Sequence, residues 1–316
     1  MVDIVESMKI VGIRAFGGPE VLEVLDVPEP HAGPGEVRIR VRAAAVSPTD
    51  TVLRSGAQDM GGQEPPYIPG MDAAGVIDEV GEGAGWRIGD EVMALALPRA
   101  ARRGAYAEYL VAPSDSIARV PAGVGLEAAA TLPMNGLTAV QTLEKLDLAE
   151  GSVLAITGAA GTLGNYLIQL AKEAGLTVVA DASPRDAELV TALGADYVVE
   201  RGDDVADRVR GLFPDGVDAV ADAAVMNELA VGAVRDGGGF ATVRGWDGDP
   251  GRGITVQAIR VGEEYSSGAK LDRLRALAEA DLLSPRIADV LPADRAAEAH
   301  RRLEAGGLRG RIVLTF

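Results

Sequence analysis

The chain has 316 residues, of which 47% are hydrophobic and 24% are charged, the balance of a folded protein of about two domains. Acidic residues outnumber basic ones by 47 to 30, and the net charge of −17 disfavours nucleic acids and anionic membranes as partners. Cysteine is absent, which excludes disulfides and thiolate metal sites, and the only histidines are His31 and His300. No apolar run reaches the roughly 18 residues of a membrane span, and the first residues lack the features of a signal peptide, so we expect a cytoplasmic protein.

The first part of the chain predicts short strands that are separated by glycine and proline. Strands are expected at 37–41, where apolar and charged residues alternate, and at 74–80 and 91–96. This pattern is typical of a small, mostly antiparallel β domain.

From about residue 127, strands alternate with helices. Strands are predicted at 153–156, 177–180, 197–199, 217–221 and 239–243, and helices at 163–174, 184–193 and 203–212, with a short helical stretch before 234 and a helix from 270 to about 280. Alternation of this kind predicts a doubly wound parallel sheet. The final segment, 303–316, ends in Arg311-Ile-Val-Leu-Thr-Phe316 and predicts a strand that pairs with the N-terminal β domain. The expected domains are therefore 1–127 with 281–316, and 128–280.

A glycine-rich turn is the most informative local motif. Thr157-Gly-Ala-Ala-Gly-Thr-Leu-Gly164 follows a buried strand and opens a helix, and the acidic Asp181 ends the next strand. Small residues let a pyrophosphate approach the backbone, and the helix N-terminus offers free N–H groups, so the motif predicts dinucleotide binding. The residues predicted to bind the cofactor here are Ala160, Gly161, Thr162, Leu163, Gly164, Asp181, Ser183 and Arg185. The alternative is a tight turn that binds no ligand.

Further motifs extend along nearly the whole chain in a fixed order. They are Phe16-Gly-Gly-Pro-Glu-Val-Leu22, Ser47-Pro-Thr-Asp-Thr-Val-Leu-Arg-Ser-Gly56, Ile68-Pro-Gly-Met-Asp-Ala-Ala-Gly-Val76, Gly89-Asp-Glu-Val92, Gly104-Ala-Tyr-Ala-Glu-Tyr109, Leu132-Pro-Met-Asn-Gly-Leu-Thr-Ala139 and Gly310-Arg-Ile-Val-Leu314. With these motifs the chain resembles the zinc-free quinone oxidoreductase branch of the medium-chain dehydrogenase/reductases. The resemblance implies a GroES-like β domain built from both chain ends, a Rossmann domain between them, and an active site in the cleft between the domains.

The resemblance also bears on metal binding. Zinc-dependent relatives hold their catalytic zinc with a Cys, a His that precedes Glu, and a second Cys, and the matching positions here are Ser47, Met71-Asp72 and about Met134. A hydroxyl and two thioethers do not replace two thiolates and an imidazole around zinc. We therefore expect no metal.

Without a metal, the expected chemistry is reduction of conjugated acceptors by NAD(P)H, because their negative charge spreads over the conjugated system. The resemblance places Ser47 and Thr138 near the nicotinamide and Arg311 near the pyrophosphate. Ser47 is either a hydrogen-bond donor to the substrate carbonyl or a helix cap. Many relatives carry a tyrosine at the position of Val52 that has been considered a proton donor, and its absence favours protonation by water.

Several alternative functions and residue roles are also compatible with the sequence. The protein is alternatively an enoyl reductase of a biosynthetic pathway, or a dinucleotide-binding protein without catalytic activity. Asp50 is expected to anchor its loop, and both histidines are expected at the surface. Arg99, Arg102 and Arg103 form either a solvated loop or a clamp for an anionic substrate or partner.

Two further predictions concern the cofactor and the assembly. Asp181 occupies the position of the aspartate that binds the adenosine ribose in NAD-specific relatives, which favours NADH, whereas most members of this branch prefer NADPH. Alternatively, Asp181 points into solvent or caps the next helix. The β-branched segment 253–259 predicts an edge strand that pairs with its counterpart in a homodimer, as in the family.

Overall fold

The structure, a computed structural model, describes residues 6–99 and 104–316. Its strands are β1 (Ser7–Gly12), β2 (Glu23–Pro28), β3 (Glu36–Ala45), β4 (Asp72–Val80), β5 (Glu91–Leu95), β6 (Tyr109–Pro113), β7 (Ile117–Arg119), β8 (Val153–Thr157), β9 (Thr177–Ala182), β10 (Tyr197–Glu200), β11 (Val217–Asp222), β12 (Val234–Thr242), β13 (Thr255–Ala258), β14 (Ile287–Pro292) and β15 (Arg311–Thr315). Its helices are α1 (Pro48–Ser55), α2 (Leu126–Ala129), α3 (Pro133–Leu146), α4 (Thr162–Glu173), α5 (Ala187–Ala192), α6 (Val205–Leu212), α7 (Glu228–Val231), α8 (Gly268–Glu279) and α9 (Ala296–Ala305).

One compact unit comprises the described residues within 1–134, 265–279 and 285–316. Its seven-stranded sheet has the order β14-β15-β3-β4-β5-β7, and β6 also pairs with β3. Strand β3 pairs antiparallel with β4, β6 and β15, and Val313 lies opposite Ala45. The prediction that the C-terminal strand pairs with the N-terminal β domain is therefore confirmed. Alternate residues of β3, such as Val37, Ile39 and Val41, are buried in the core of this unit.

The second unit comprises residues 135–264 and 280–284. Its six strands are parallel and have the order β10-β9-β8-β11-β12-β13, with helices in every connection between consecutive strands except that from β12 to β13. Apart from the partly buried Val153, the apolar residues of β8, β9 and β11 are buried, as expected for strands that are covered on both faces. The order reverses between β8 and β11, and ligands of such sheets bind at the carboxyl ends of the strands at this point. The predicted α/β fold, with one parallel and one mostly antiparallel sheet, is confirmed.

Some elements differ from the predictions. Strand β12 begins at Val234, whereas the sequence predicts a start at 239. The predicted start is late because the three consecutive glycines from Gly237 are typical of a turn. The predicted helix at 184–193 is a 3₁₀ turn, Pro184–Asp186, followed by α5. Helix α8 belongs to the first unit, where the Gly268 N–H donates to the Asp115 carbonyl oxygen at 2.7 Å. Within the described ranges, no helix combines the length and hydrophobicity needed to cross a membrane.

Candidate active site

The glycine turn joins strand β8 to helix α4 in the second unit. Gly158 has a φ of +64°, a left-handed backbone that residues with side chains rarely adopt. Gly161 donates its N–H to the Gly158 carbonyl oxygen at 2.9 Å and forms the N-cap of α4. The turn thus presents the N-terminus of a twelve-residue helix, whose partial positive charge favours a phosphate.

The last two glycines of the turn have different surroundings. A Cβ atom on Gly164 would lie 2.4 Å from the Gly158 carbonyl oxygen and 2.5 Å from the Cα atom of Ala159, so the backbone leaves no room for a side chain. Among the described residues, a Cβ atom on Gly161 would approach one atom within 4 Å, the Gly158 carbonyl oxygen at 3.1 Å. Gly164 therefore allows α4 to pack closely against the backbone of the turn, while the space beside Gly161 fits a pyrophosphate.

Asp181 lies at the carboxyl end of β9, next to the glycine turn. Its side chain is buried, and its Oδ1 atom accepts a hydrogen bond from the Ala159 N–H at 3.1 Å. Its Oδ2 atom is also buried and has no hydrogen-bond partner in the described part of the chain. Burial raises the pKa of Asp181, while the Ala159 N–H and the positive charge of Arg201 oppose that rise. Asp181 does not point into solvent, and its buried oxygen fits a ribose hydroxyl donor.

The remaining residues of the predicted nucleotide site lie in different settings. The Ser183 hydroxyl donates to the Asp186 carboxylate, and the Arg185 side chain is 72% exposed and lies 3.8 Å from the same carboxylate. Thr138 is buried in helix α3. The structure therefore brings Asp181 against the turn and leaves Arg185 at the surface, where its predicted role stays a prediction.

A second loop packs against the turn from the end of β11. The Asp222 carboxylate accepts hydrogen bonds from the Thr157 hydroxyl at 2.6 Å and from the Asn227 N–H at 2.7 Å. Asn227 has a φ of +48°, and a Cβ atom on Gly158 would lie 3.3 Å from the backbone of Ala223. Asp222 thus holds a strained loop beside the nucleotide turn, a role that no motif in the sequence marks.

In the first unit, Asp50 holds the segment around Ser47 in place. Its Oδ2 atom accepts hydrogen bonds from the Ser47 N–H at 2.7 Å and from the Tyr106 hydroxyl at 3.0 Å, and its Oδ1 atom accepts one from the Gly70 N–H at 3.0 Å. Burial raises the pKa of Asp50 to about 6, and these hydrogen bonds prevent a larger rise. Asp50 therefore anchors its loop, as predicted.

A second buried carboxyl group, Asp72, begins strand β4. Its Oδ1 atom accepts a hydrogen bond from the Met134 N–H at 2.6 Å. Burial raises the pKa of Asp72 to about 7, although the Met134 N–H and the charge of Arg311 lower it. Arg311, at the start of β15, is itself buried, and its positive charge lowers the pKa values of Asp50 and Asp72. Its predicted contact with a pyrophosphate stays a prediction.

The expectation that both histidines lie at the surface is wrong for His300. Its ring is fully buried, with Nδ1 at 3.3 Å from Arg54 Nη1 and Nε2 at 3.2 Å from the Tyr106 hydroxyl. Arg54 in turn pairs with Glu304 at 2.5 Å. Burial, together with the charge of Arg54, lowers the pKa of His300 to about 3, so the ring is neutral and links α9 to the Asp50 cluster. His31 is exposed, as predicted.

Comparisons with known proteins identify the family. The pattern described as "Alcohol dehydrogenase GroES-like domain" matches residues 33–122, and the pattern described as "Zinc-binding dehydrogenase" matches residues 193–314. A 2-methylene-furan-3-one reductase of Solanum lycopersicum is 31% identical over 99% of this chain and 80% of the relative. The chain belongs to the medium-chain dehydrogenase/reductase family.

Other members place it in the quinone oxidoreductase branch. An NADPH-dependent alkenal/one oxidoreductase of Arabidopsis thaliana is 30% identical over 98% of this chain and 80% of the relative. The solved quinone oxidoreductase from Coxiella burnetii is 28% identical, with a TM-score of 0.85 over 98% of this chain and 100% of that one. A solved NAD-dependent alcohol dehydrogenase is 33% identical, with the same TM-score and the same coverage. The resemblance predicted from the sequence motifs is confirmed.

In this medium-chain dehydrogenase/reductase, the three positions at which the resemblance places the zinc ligands of relatives carry a serine and two methionines. Ser47 and Met134 are buried in the first unit, and Met71 is partly buried. Over the described ranges, no group of three or more histidine, aspartate and glutamate side chains is arranged to hold a metal ion. The side chains at these positions are poor zinc ligands, although one of the matching family patterns is described as a zinc-binding dehydrogenase.

The basic segment of this family member is only partly described. Arg102 and Arg103 lie outside the described residues, and Arg99 contributes its carbonyl oxygen to a hydrogen bond from Gln63 Nε2 at 2.5 Å. The choice between a solvated loop and an anion clamp therefore stays open.

Proposed function

We propose that this protein reduces quinones and α,β-unsaturated carbonyl compounds with NAD(P)H, by hydride transfer and without a metal. The observation that carries the proposal is the glycine turn, where open space beside Gly161 and the unpartnered Oδ2 atom of Asp181 fit a dinucleotide. The substrate class is supported by the relatives, which are named for the reduction of quinones, alkenals and a methylene-furanone.

Several residues are proposed to hold the cofactor. Ala160, Gly161, Thr162, Leu163 and Gly164 would receive the pyrophosphate together with Arg311, Asp181 would bind the adenosine ribose, and Thr138 would lie at the nicotinamide half. The bound nicotinamide supplies the hydride. We propose NADH as the preferred form because a carboxylate beside the ribose repels a 2′-phosphate, although the relatives include both NADPH-dependent and NAD-dependent enzymes.

The buried residues of the first unit supply the polar contacts for the acceptor. Ser47 is the N-cap residue of α1, the alternative role predicted for it. We propose that its hydroxyl also donates a hydrogen bond to the carbonyl oxygen of the substrate, since its Oγ atom is buried and has no hydrogen-bond partner among the described residues. Donors that are fixed in position stabilise the negative charge that develops when a conjugated system is reduced. Such acceptors therefore do not require a Lewis acid.

Turnover assays test this function. Oxidation of NADH and NADPH is followed by absorbance with 1,4-benzoquinone, 9,10-phenanthrenequinone and a series of enones, against a saturated ketone as the control. We expect turnover with the conjugated acceptors and none with the saturated ketone. Tight cofactor binding without turnover of any acceptor would contradict the proposal and indicate a dinucleotide-binding protein.

Metal analysis tests the proposed independence from zinc. We expect no stoichiometric zinc in the purified protein, and we expect quinone reduction to be unchanged by a chelator, because the ligand positions carry Ser47, Met71 and Met134. Restoring the ligand set with Ser47→Cys, Met71→His and Met134→Cys provides the positive control for zinc uptake. One zinc per chain in the wild type would contradict the prediction.

We also propose a homodimer. Strand β13 is the edge of the parallel sheet, pairs with β12 on one side and is partly exposed over Thr255–Ala258. Its free edge fits antiparallel pairing with a second copy. Light scattering at micromolar concentration is expected to give the dimer mass, and Val256→Pro, which removes a backbone donor from the strand, is expected to favour the monomer. A wild-type monomer would contradict this assembly.

A further inference from the structure

One buried oxygen lies at the N-cap of helix α1 and another at the start of strand β4. Ser47 Oγ and Asp72 Oδ2 each lack a partner with hydrogen-bond geometry within the described ranges. Strand β3 pairs Ala45 with Asp72, which brings Ser47, two residues further along, to the same end of β4. The Ser47 hydroxyl is close enough to Asp72 to favour the ionised form of its carboxyl group. Buried polar atoms without partners are uncommon and mark candidate sites for ligand or proton exchange.

We propose that Asp72 is the proton source for the reduced acceptor and that the Ser47 hydroxyl passes the proton from Asp72 Oδ2 to the substrate. This inference rests on the proposed function, because it assumes that Ser47 contacts the acceptor. Asp72 is the acid in this relay, and it reaches the substrate only through the Ser47 hydroxyl. The Met134 N–H holds Oδ1, which leaves Oδ2 to carry the proton.

The chemistry requires one proton per turnover. An enone gains a hydride at its β-carbon, for which NAD(P)H is the two-electron reductant and is converted to NAD(P)⁺. The resulting enolate then takes a proton from Ser47 Oγ, and Ser47 takes the proton of Asp72 Oδ2. Asp72 is left as a carboxylate that regains a proton from solvent after product release. The sum is enone, NAD(P)H and one proton to the saturated ketone and NAD(P)⁺.

The electrostatic surroundings keep both forms of Asp72 accessible near neutral pH. Burial raises the pKa of this carboxyl group to about 7, helped by the like charge of Asp50 and opposed by Arg311. Tyr106 also faces the pair of carboxylates, and its own pKa is raised well above the ordinary value, mainly by burial and by Asp50, so it keeps its proton. The protonated, donating form of Asp72 is present below about pH 7 and is lost as the pH rises.

The first test needs neither cofactor nor substrate. Infrared difference spectra of the free wild-type protein are recorded as a function of pH, and the C=O stretch of a buried protonated carboxyl group is followed. We expect a band that disappears as the pH rises through about 7 and that is absent from Asp72→Asn. No such band in the wild type, or the same band in Asp72→Asn, would overturn the assignment to Asp72.

The second test is kinetic and compares two acceptors. In Asp72→Asn and Ser47→Ala, kcat for enones is expected to fall by about 100-fold, within the range of general acid catalysis, and to lose its decline above about pH 7. In Asp72→Asn, reduction of a quinone whose product is stable as an anion is expected to persist, since that product does not need the proton, whereas Ser47→Ala also loses the proposed hydrogen bond to the acceptor. Asp78→Asn, which changes another carboxylate of the same strand, one that accepts hydrogen bonds from Arg38, is the matched control and should behave as the wild type.

The outcomes separate this inference from the proposed function. No turnover by the wild type would refute the function, while the infrared titration would still report on Asp72. Wild-type turnover combined with unchanged enone kcat and an unchanged pH profile in Asp72→Asn would overturn the proton relay alone. If Asp72→Asn does not fold, the relay is tested on the wild type by comparing its rates in H₂O and D₂O. Enone reduction is expected to slow in D₂O, and quinone reduction is not. Equal solvent isotope effects for the two acceptors would contradict the relay.

Discussion

Replacing Gly161 with valine is expected to abolish dinucleotide binding in a protein that still folds. Gly161 has a φ of −76°, which valine adopts without strain, and its Cβ atom would require a shift of only a few tenths of an ångström from the Gly158 carbonyl oxygen. The rest of the side chain would fill the space beside the N-terminus of α4 where the pyrophosphate is proposed to bind. We expect the Kd for NADH to rise by at least about 100-fold, or about 2.7 kcal/mol.

Fluorescence titration with NADH measures the loss, and thermal unfolding checks that the variant is folded. Gly211→Val, at an open position of helix α6, is the matched control and should bind NADH as the wild type does. Gly164→Ala provides the opposite comparison, because its Cβ atom would overlap the backbone of Gly158 and Ala159 and should lower the unfolding temperature. Wild-type affinity in Gly161→Val would show that the dinucleotide binds elsewhere.

The parts of the fold that could be predicted from sequence are those with strong local signals. The glycine turn follows a short apolar strand and precedes an amphipathic helix, and each of these patterns depends on near neighbours in the chain. The C-terminal strand was predictable because Ile312 to Leu314 must be covered, and the N-terminal β domain was the remaining sheet. The edge strand β14 was missed, since its residues are mostly exposed and it ends in proline.

The buried polar cluster of the first unit could not be predicted in the same way, because its members are distant in sequence. His300 lies among charged residues of α9, which suggests exposure, yet Ala296, Ala299 and His300 form the buried face of that helix. Their i, i+3, i+4 spacing was the available signal. The position of Asp72 behind Ser47 depends on the register between β3 and β4, which the sequence motifs do not contain.

The remaining prediction concerns the choice between NADH and NADPH. Asp181 is buried beside the turn, where its carboxylate would meet a ribose hydroxyl of NADH but would repel the 2′-phosphate of NADPH. Partial desolvation strengthens that repulsion, which is on the order of a few kcal/mol. Ser183 does not offset it in this arrangement, because its hydroxyl donates to Asp186. We therefore expect the wild type to prefer NADH.

The decisive measurement is kcat/KM for both cofactors in the wild type, Asp181→Ser and Asp181→Asn. Asp181→Ser should shift the ratio toward NADPH by about 100-fold, or about 2.7 kcal/mol, by removing the charge and leaving a donor for the phosphate. Asp181→Asn removes the charge at nearly constant shape, so it should relieve the repulsion without creating the space that serine leaves. Asp236→Ser, which removes a carboxylate that is 82% exposed in the same unit, controls for net charge. If the wild type prefers NADPH, or if Asp181→Ser leaves the ratio unchanged, then Asp181 supports the turn through Ala159 and the 2′-phosphate is recognised by other residues.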